Sequence, residues 1–278
     1  KAQGHRIDAG PDHNLIILNV MFNPSGENAD PTSQFFRRRR DIQGIRAIAV
    51  LLVLAYHAKV PGFSGGYIGV DVFFVVSGFL ITSLLVREFD TTNKISLTNF
   101  YARRVRRLLP ASLVVVIGTL VISKIWLEPL RLNDLTQDAR AAALFATNIV
   151  FAVRESDYLQ SALPPSPLQH YWSLGVEEQF YIFFPIVVMV LLKLGKASKS
   201  LLITGLTMIT AVSFAVCVAI TPSMPAISFY LLPFRAWELG AGALLALLGS
   251  KVNRVKSVNR ELFGWVGLVI IIVTGFIY

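Results

Sequence analysis

Arg46 and His57 lie eleven residues apart in the apolar segment GIRAIAVLLVLAYH, just after the run Arg37-Arg38-Arg39-Arg40. Eleven residues is close to three helical turns, so the two side chains share a helix face, separated along the axis by roughly 16 Å. Charged or titratable groups inside a membrane helix are costly and normally face a protein interior or a water-filled cavity. Arginine keeps its charge and matches phosphate, whereas histidine titrates near neutrality and moves protons. One helix thus carries a phosphate-binding charge near one end and a proton-transfer group near the other. That division suits an enzyme with a charged donor on one side of a membrane and an acceptor on the other.

Four further groups bear polar chemistry in apolar surroundings. Asp71, in GGYIGVDVFFVVSGF, enters the membrane at the depth of His57 and is placed to fix its tautomer. The alternative is that Asp71 anchors a helix end and that Ser77 and the glycines are packing contacts. Arg103, Arg104, Arg106 and Arg107 crowd the start of another apolar run. Their guanidinium forks match the phosphates of a nucleotide-bearing donor such as a coenzyme A thioester, or else they only anchor the chain to lipid headgroups. Glu177 and Glu178 follow His170, Tyr171 and Trp172 at the head of a further run. Adjacent helical residues project about 100° apart, so one carboxylate faces the cavity and can reach His57 while the other caps the helix. His170 reads as an interfacial polar residue, and Tyr171 and Trp172 suit an aromatic belt. Arg235 and Glu238, at i,i+3, form either a substrate contact or a structural ion pair.

The elements that must position these groups are membrane helices. The chain has 278 residues, 54% of them hydrophobic and only 15% charged. Soluble domains carry about 25% charged residues. Continuous apolar runs near the roughly 20 residues of a spanning helix exclude a β-barrel and point to an all-α, polytopic bundle. Candidate spans are 43–60, 67–86, 109–127, 173–192, 201–220, 227–248 and an incomplete one from 262. Segment 139–153 is apolar but short and carries Thr147 and Asn148. If it does not cross, the basic loops 87–108, 193–200 and 249–261 share the N-terminal, cytoplasmic side, while 61–66 and 221–226 face outside without Lys or Arg. The positive-inside rule therefore reads 139–153 as re-entrant or interfacial.

Residues 1–36 form a polar N-terminal tail, expected to be cytoplasmic and poorly ordered, ahead of a membrane domain over 37–278. No signal peptide is apparent, and both ends read as truncations. The net charge of +9 is clustered as in loop-anchoring sequences, which argues against nucleic acid as a partner. One cysteine excludes an intrachain disulfide, and four scattered histidines give no metal-ligand spacing, so no metal is expected.

In order and spacing, Arg46-x10-His57, GVDVFFVVSGF at 69–79, RRVRRLLP at 103–110, WSLGVEEQFY at 172–181 and FRAWELGAG at 234–242 together resemble the membrane acyltransferase 3 family. That family includes bacterial O-antigen and peptidoglycan O-acetyltransferases, and the resemblance runs from about residue 41 onward. It implies about ten membrane helices, of which about seven spans and the re-entrant segment lie in this chain. It also implies acyl transfer, acetyl above all, from cytoplasmic acyl-coenzyme A to hydroxyls of cell-envelope carbohydrate across the bacterial cytoplasmic membrane. By the same resemblance His57 is the catalytic histidine with Arg46 as its partner. Arg103, Arg104, Arg106 and Arg107 hold the donor, and Glu178 is a site carboxylate. SPLQHYWSLGVEEQFY is similar to members that carry a fused extracytoplasmic SGNH domain, which this chain does not include. An incomplete bundle is not expected to be active alone.

The expected enzyme thus uses His57, tuned by Asp71 or Glu178, as a general base or a transient acyl carrier. A transporter or flippase of an acylated or anionic solute would use the same buried charges without chemistry. A membrane scaffold would leave the buried arginine and histidine unexplained.

Overall fold

The computed structural model describes residues 40–157, 165–252 and 257–277. Residues 1–36, read as a poorly ordered tail, lie outside the described residues. Residues 1–44 make a separate unit, of which only the first turn of α1 is described, and residues 45–278 make the other.

Among the described residues the chain forms ten helices and no strand. They are α1 (Arg40–His57), α2 (Ile68–Thr92), α3 (Leu97–Trp126), α4 (Pro129–Ala143), α5 (Thr147–Ser156), α6 (Tyr171–Leu194), α7 (Lys199–Ile220), α8 (Pro225–Tyr230), α9 (Leu232–Val252) and α10 (Ser257–Ile277). Five segments are long and apolar enough to cross a membrane: α2, α3, α6, α7, and Pro225–Gly249, which joins α8 to α9. This is a polytopic helical bundle. Two of the seven expected spans fall short of that measure. α1 has 18 residues and carries Arg46 in its middle, and the apolar part of α10, Glu261–Ile277, is shorter than the five.

Segment 139–153 does not form one continuous helix. α4 ends at Ala143, Phe145 takes a left-handed φ of 53°, and α5 restarts at Thr147 for 10 residues. Ten residues rise about 15 Å, half of a bilayer core. The polar residues at the restart turn inward. Asn148 Nδ2 donates to Gln179 Oε1 at 3.1 Å and to the Tyr230 carbonyl at 3.2 Å, while Gln179 Nε2 returns a bond to Asn148 Oδ1 at 2.8 Å. Arg154 grips the buried carboxylate of Asp138 through two bonds of 3.1 and 2.7 Å, tying α5 to α4. Irregular backbone at membrane depth is tolerated where protein satisfies it in this way.

The most extensive packing joins α9 to α2, then to α7. Glycines set the α2–α9 distance. A Cβ on Gly78 would run into the Leu239 carbonyl, and one on Gly242 into the Val75 carbonyl and, at 2.8 Å, the Phe79 amide nitrogen. Backbone therefore lies against backbone, as small residues permit between membrane helices. Gly66 and Gly69 play the same part toward the Leu52 and Ala49 carbonyls, which seats α1 on α2. Around these crossings Phe74, Ile81, Leu85, Phe100, Val176 and Leu239 form the buried core.

Candidate active site

His57 is the last residue of α1, and its ring is exposed. Its Nδ1 lies 2.8 Å from the Val53 carbonyl. A carbonyl can only accept, so Nδ1 carries the proton and the neutral ring keeps its lone pair on Nε2. The ring meets Tyr56 edge-on at 5.1 Å between centroids and His170 at 4.4 Å, with planes at 90° to the latter. His170 stands just ahead of α6. Partial burial and the charge of His57 hold its pKa below the ordinary histidine range. Sequence reading made His170 an interfacial residue, but the structure brings it to the catalytic candidate. The signal was positional: it opens a span from the same side on which α1 ends.

Neither expected carboxylate is free to tune His57. Asp71 accepts from Arg235 Nη2 at 2.5 Å, and Glu178 accepts from Arg104 Nη2 at 3.1 Å. An arginine fork outcompetes a neutral imidazole for a buried carboxylate because it delivers charge and geometry together. Glu177 is not a simple helix cap either. It accepts from the Ser77 hydroxyl of α2 and from Tyr181 Oη at 2.5 Å, and Ser77 also meets Tyr181. Both carboxylates of the pair thus find partners, on α2 and α3, and Tyr181 joins the two contacts, bonding Glu177 and lying beneath the Arg104 guanidinium. Ser77, offered as a packing residue, is a buried hydrogen-bonding group in this contact.

The arginine cluster divides. α3 has 30 residues, about 45 Å of rise, longer than a roughly 30 Å hydrocarbon core. Ser96 caps its start by accepting from the Asn99 amide. Arg103, Arg106 and Arg107 are exposed along one side. Arg103 lies 3.7 Å from Glu88, and Arg106 Nε donates to the Ala102 carbonyl at 3.2 Å. Arg104 instead points into the bundle. Its guanidinium sits 3.3 Å above the Tyr181 ring, and its Nε is buried without a hydrogen bond. Nearby, Tyr101 Oη donates to the Ile182 carbonyl at 2.7 Å. Ile182 is twelve residues, about 18 Å of rise, from the end of α6. Arg104 is therefore drawn well inside the bundle, whereas sequence reading set all four arginines at its face. Arg46 is half-buried midway along α1 and has no ion pair among the described residues.

Arg235 pairs with Glu238, as the ion-pair reading of its segment expects, and with Asp71 as well. It bonds Asp71 and lies 3.0 Å from Glu238 Oε1, but without hydrogen-bond geometry, so both oxygens of the buried Glu238 lack a hydrogen bond. Phe74, Trp172 and Phe229 surround the guanidinium with ring centroids 5.4–5.8 Å away. The cluster sits where the α2–α9 glycine crossing brings the backbones together. Among the described residues no group of three or more His, Cys, Asp or Glu is placed to hold a metal ion.

Residues 39–278 match the family described as an acyltransferase domain. The chain is 38% identical to a peptidoglycan O-acetyltransferase, OatA, of Listeria monocytogenes over 74% of its own length and 33% of the relative's. It is 33% identical to an O-acetyltransferase OatA of Staphylococcus aureus over 84% of its length and 38% of the relative's, so it spans about a third of such proteins. No solved structure matches the chain significantly. With the family match covering all of the described helices, the chain belongs to the acyltransferase 3 family.

Proposed function

We propose that the chain is the membrane part of an O-acyltransferase that moves an acyl group, acetyl above all, from cytoplasmic acyl-coenzyme A to a hydroxyl of cell-envelope carbohydrate outside the bacterial cytoplasmic membrane. The observation that carries the reading is the His57 imidazole, whose Nδ1 is committed to the Val53 carbonyl so that Nε2 is left to take a proton. The names of the relatives, peptidoglycan O-acetyltransferase and O-acetyltransferase, support a glycan acceptor and an acetyl donor. The exposed Arg103, Arg106 and Arg107, together with Arg46, supply the phosphate-matching charge for the donor. Arg104 holds the site by pairing with Glu178. The step adds the acceptor oxygen to the thioester carbonyl carbon and passes its proton to His57 Nε2. The C–S bond then breaks, and the thiolate leaves with that proton as free coenzyme A. A fused SGNH domain belongs to the same proposal, as a further handler of the acyl group outside.

The full-length protein in proteoliposomes should release free coenzyme A only when acetyl-coenzyme A and a peptidoglycan fragment are both supplied. Turnover that ignores the glycan would overturn the acceptor. Arg103→Gln, Arg106→Gln and Arg107→Gln should weaken coenzyme A binding while leaving thermal stability near wild type, because these side chains are exposed. Arg104→Gln should lower stability as well, because it strands Glu178. Unchanged coenzyme A affinity in all four variants would reduce the cluster to a topology signal.

We also infer a cytoplasmic N-terminus, from the basic loops 87–108, 193–200 and 249–261. With Cys217 replaced by serine, a cysteine at Ser198 should react with an impermeant thiol reagent from the cytoplasmic side. Reaction only from outside would invert the orientation.

A further inference from the structure

A general base needs a partner that holds its ring, and among the described residues the carboxylates expected to do so are bound elsewhere. Asp71 is given to Arg235, Glu178 to Arg104, and Glu177 to Ser77 and Tyr181. What meets the His57 ring is Tyr56 on one side and His170 on another, both at near right angles, while the Val53 carbonyl ties Nδ1. Tyr56 is in turn met by Tyr67, ahead of α2, at 5.7 Å. Tyr56 shares α1 with His57 and moves with it. His170 stands just ahead of a different helix, α6, and is the contact that ties the ring to it.

We propose that His170 is a positioning residue for His57, its ring holding the His57 imidazole edge-on so that Nε2 stays aimed at the acceptor hydroxyl. This rests on the acyl-transfer reading given above. The contact has the right chemistry for a residue beside a base that gains charge. A lysine or arginine at this place would repel the nascent imidazolium, and a carboxylate would bind it as a fixed pair. An imidazole does neither while it is neutral, and its depressed pKa keeps it neutral over a wider pH range than an ordinary histidine. The role leaves the proton and acyl transfers with His57 and the substrates.

The test uses full-length protein and the glycan-dependent release of coenzyme A. His170→Ala should cut kcat on the order of 10- to 100-fold, the scale of a misplaced reacting group. KM for acetyl-coenzyme A and coenzyme A affinity should stay near wild type. His170→Phe keeps a flat ring and should restore much of kcat. In a His57→Ala background His170→Ala should add almost nothing, because a residue acting through His57 has nothing left to position. An active wild type with full turnover in His170→Ala overturns the proposal alone, as does an equal loss of fold in both His170 variants or a simple multiplication of the two defects. An inactive wild type removes the acyl-transfer reading and the proposal with it.

Discussion

His57→Ala, made in the full-length protein, is expected to abolish glycan acylation and to leave acyl-coenzyme A binding close to wild type. The loss should reach about 10²–10⁴ in rate, the usual contribution of a positioned general base. The reasoning starts from the ring itself: Nδ1 is spent on the Val53 carbonyl, so Nε2 is the atom able to receive a proton. Position supplies the second half. Arg46 lies eleven residues back on the same helix, roughly 16 Å of rise away, too far for His57 to share its donor phosphates. Arg46→Ala should therefore weaken donor use instead, since arginine offers charge and no usable proton. Coenzyme A binding measured beside glycan acylation in both variants separates the two roles. A His57→Ala enzyme with near wild-type turnover would sink the mechanism, and the Glu177–Ser77–Tyr181 contact would become the place to look.

The helices were largely legible because a spanning segment announces itself by composition alone. The expected 173–192 and 201–220 fall inside α6 and α7, and 67–86 begins one residue ahead of α2. Where the edges moved, the cause is physical. The expected 109–127 became Leu97–Trp126 because the first turns of α3 are polar and basic, invisible to a hydrophobic count but helical from the Ser96 cap onward. The expected 227–248 divided at Leu231, which takes an extended φ/ψ of −92° and 138° two residues before Pro233. Pro233 then falls at the second position of α9, where its missing N–H is one that a helix start leaves unpaired in any case.

The site was legible in its residues but not in its pairings. Sequence spacing can place groups on a face of one helix. It cannot say which carboxylate meets which arginine across three helices. Asp71 was assigned to His57 by depth alone, yet the Gly78 and Gly242 crossing carries α9 close enough to deliver Arg235 to it. Glu178 was likewise lost to Arg104, because the arginine-bearing turns of α3 run alongside the middle of α6. His170 was undervalued for the opposite reason. It belongs to no periodic pattern, and only the tertiary fold sets it 4.4 Å from His57.

Arg235→Ala should destabilise the bundle more than any other single replacement in its motif. The guanidinium is 13% exposed and is set among two carboxylates and three aromatic rings. Removing it leaves Asp71 and Glu238 with no cation beside them, at a place where Glu238 already lacks a hydrogen bond. Breaking a buried pair by deleting one partner costs about 3–5 kcal/mol, a large part of a domain's typical stability. The effect should appear as a lower Tm in detergent and a poorer yield of folded protein. Charge, not shape, is the cause, so neutralising the stranded groups should reverse it. Arg235→Gln combined with Asp71→Asn and Glu238→Gln should recover most of the lost Tm, since a neutral set in a buried site often equals the ion pair it replaces. A single Arg235→Ala variant that melts like wild type would show that the cluster is not what locks α9 to α2. Acylation by the neutral triple variant then divides the two roles of the motif. Recovered activity makes the cluster a lock between helices. A stable but inactive triple variant makes Arg235 or its carboxylates a substrate contact.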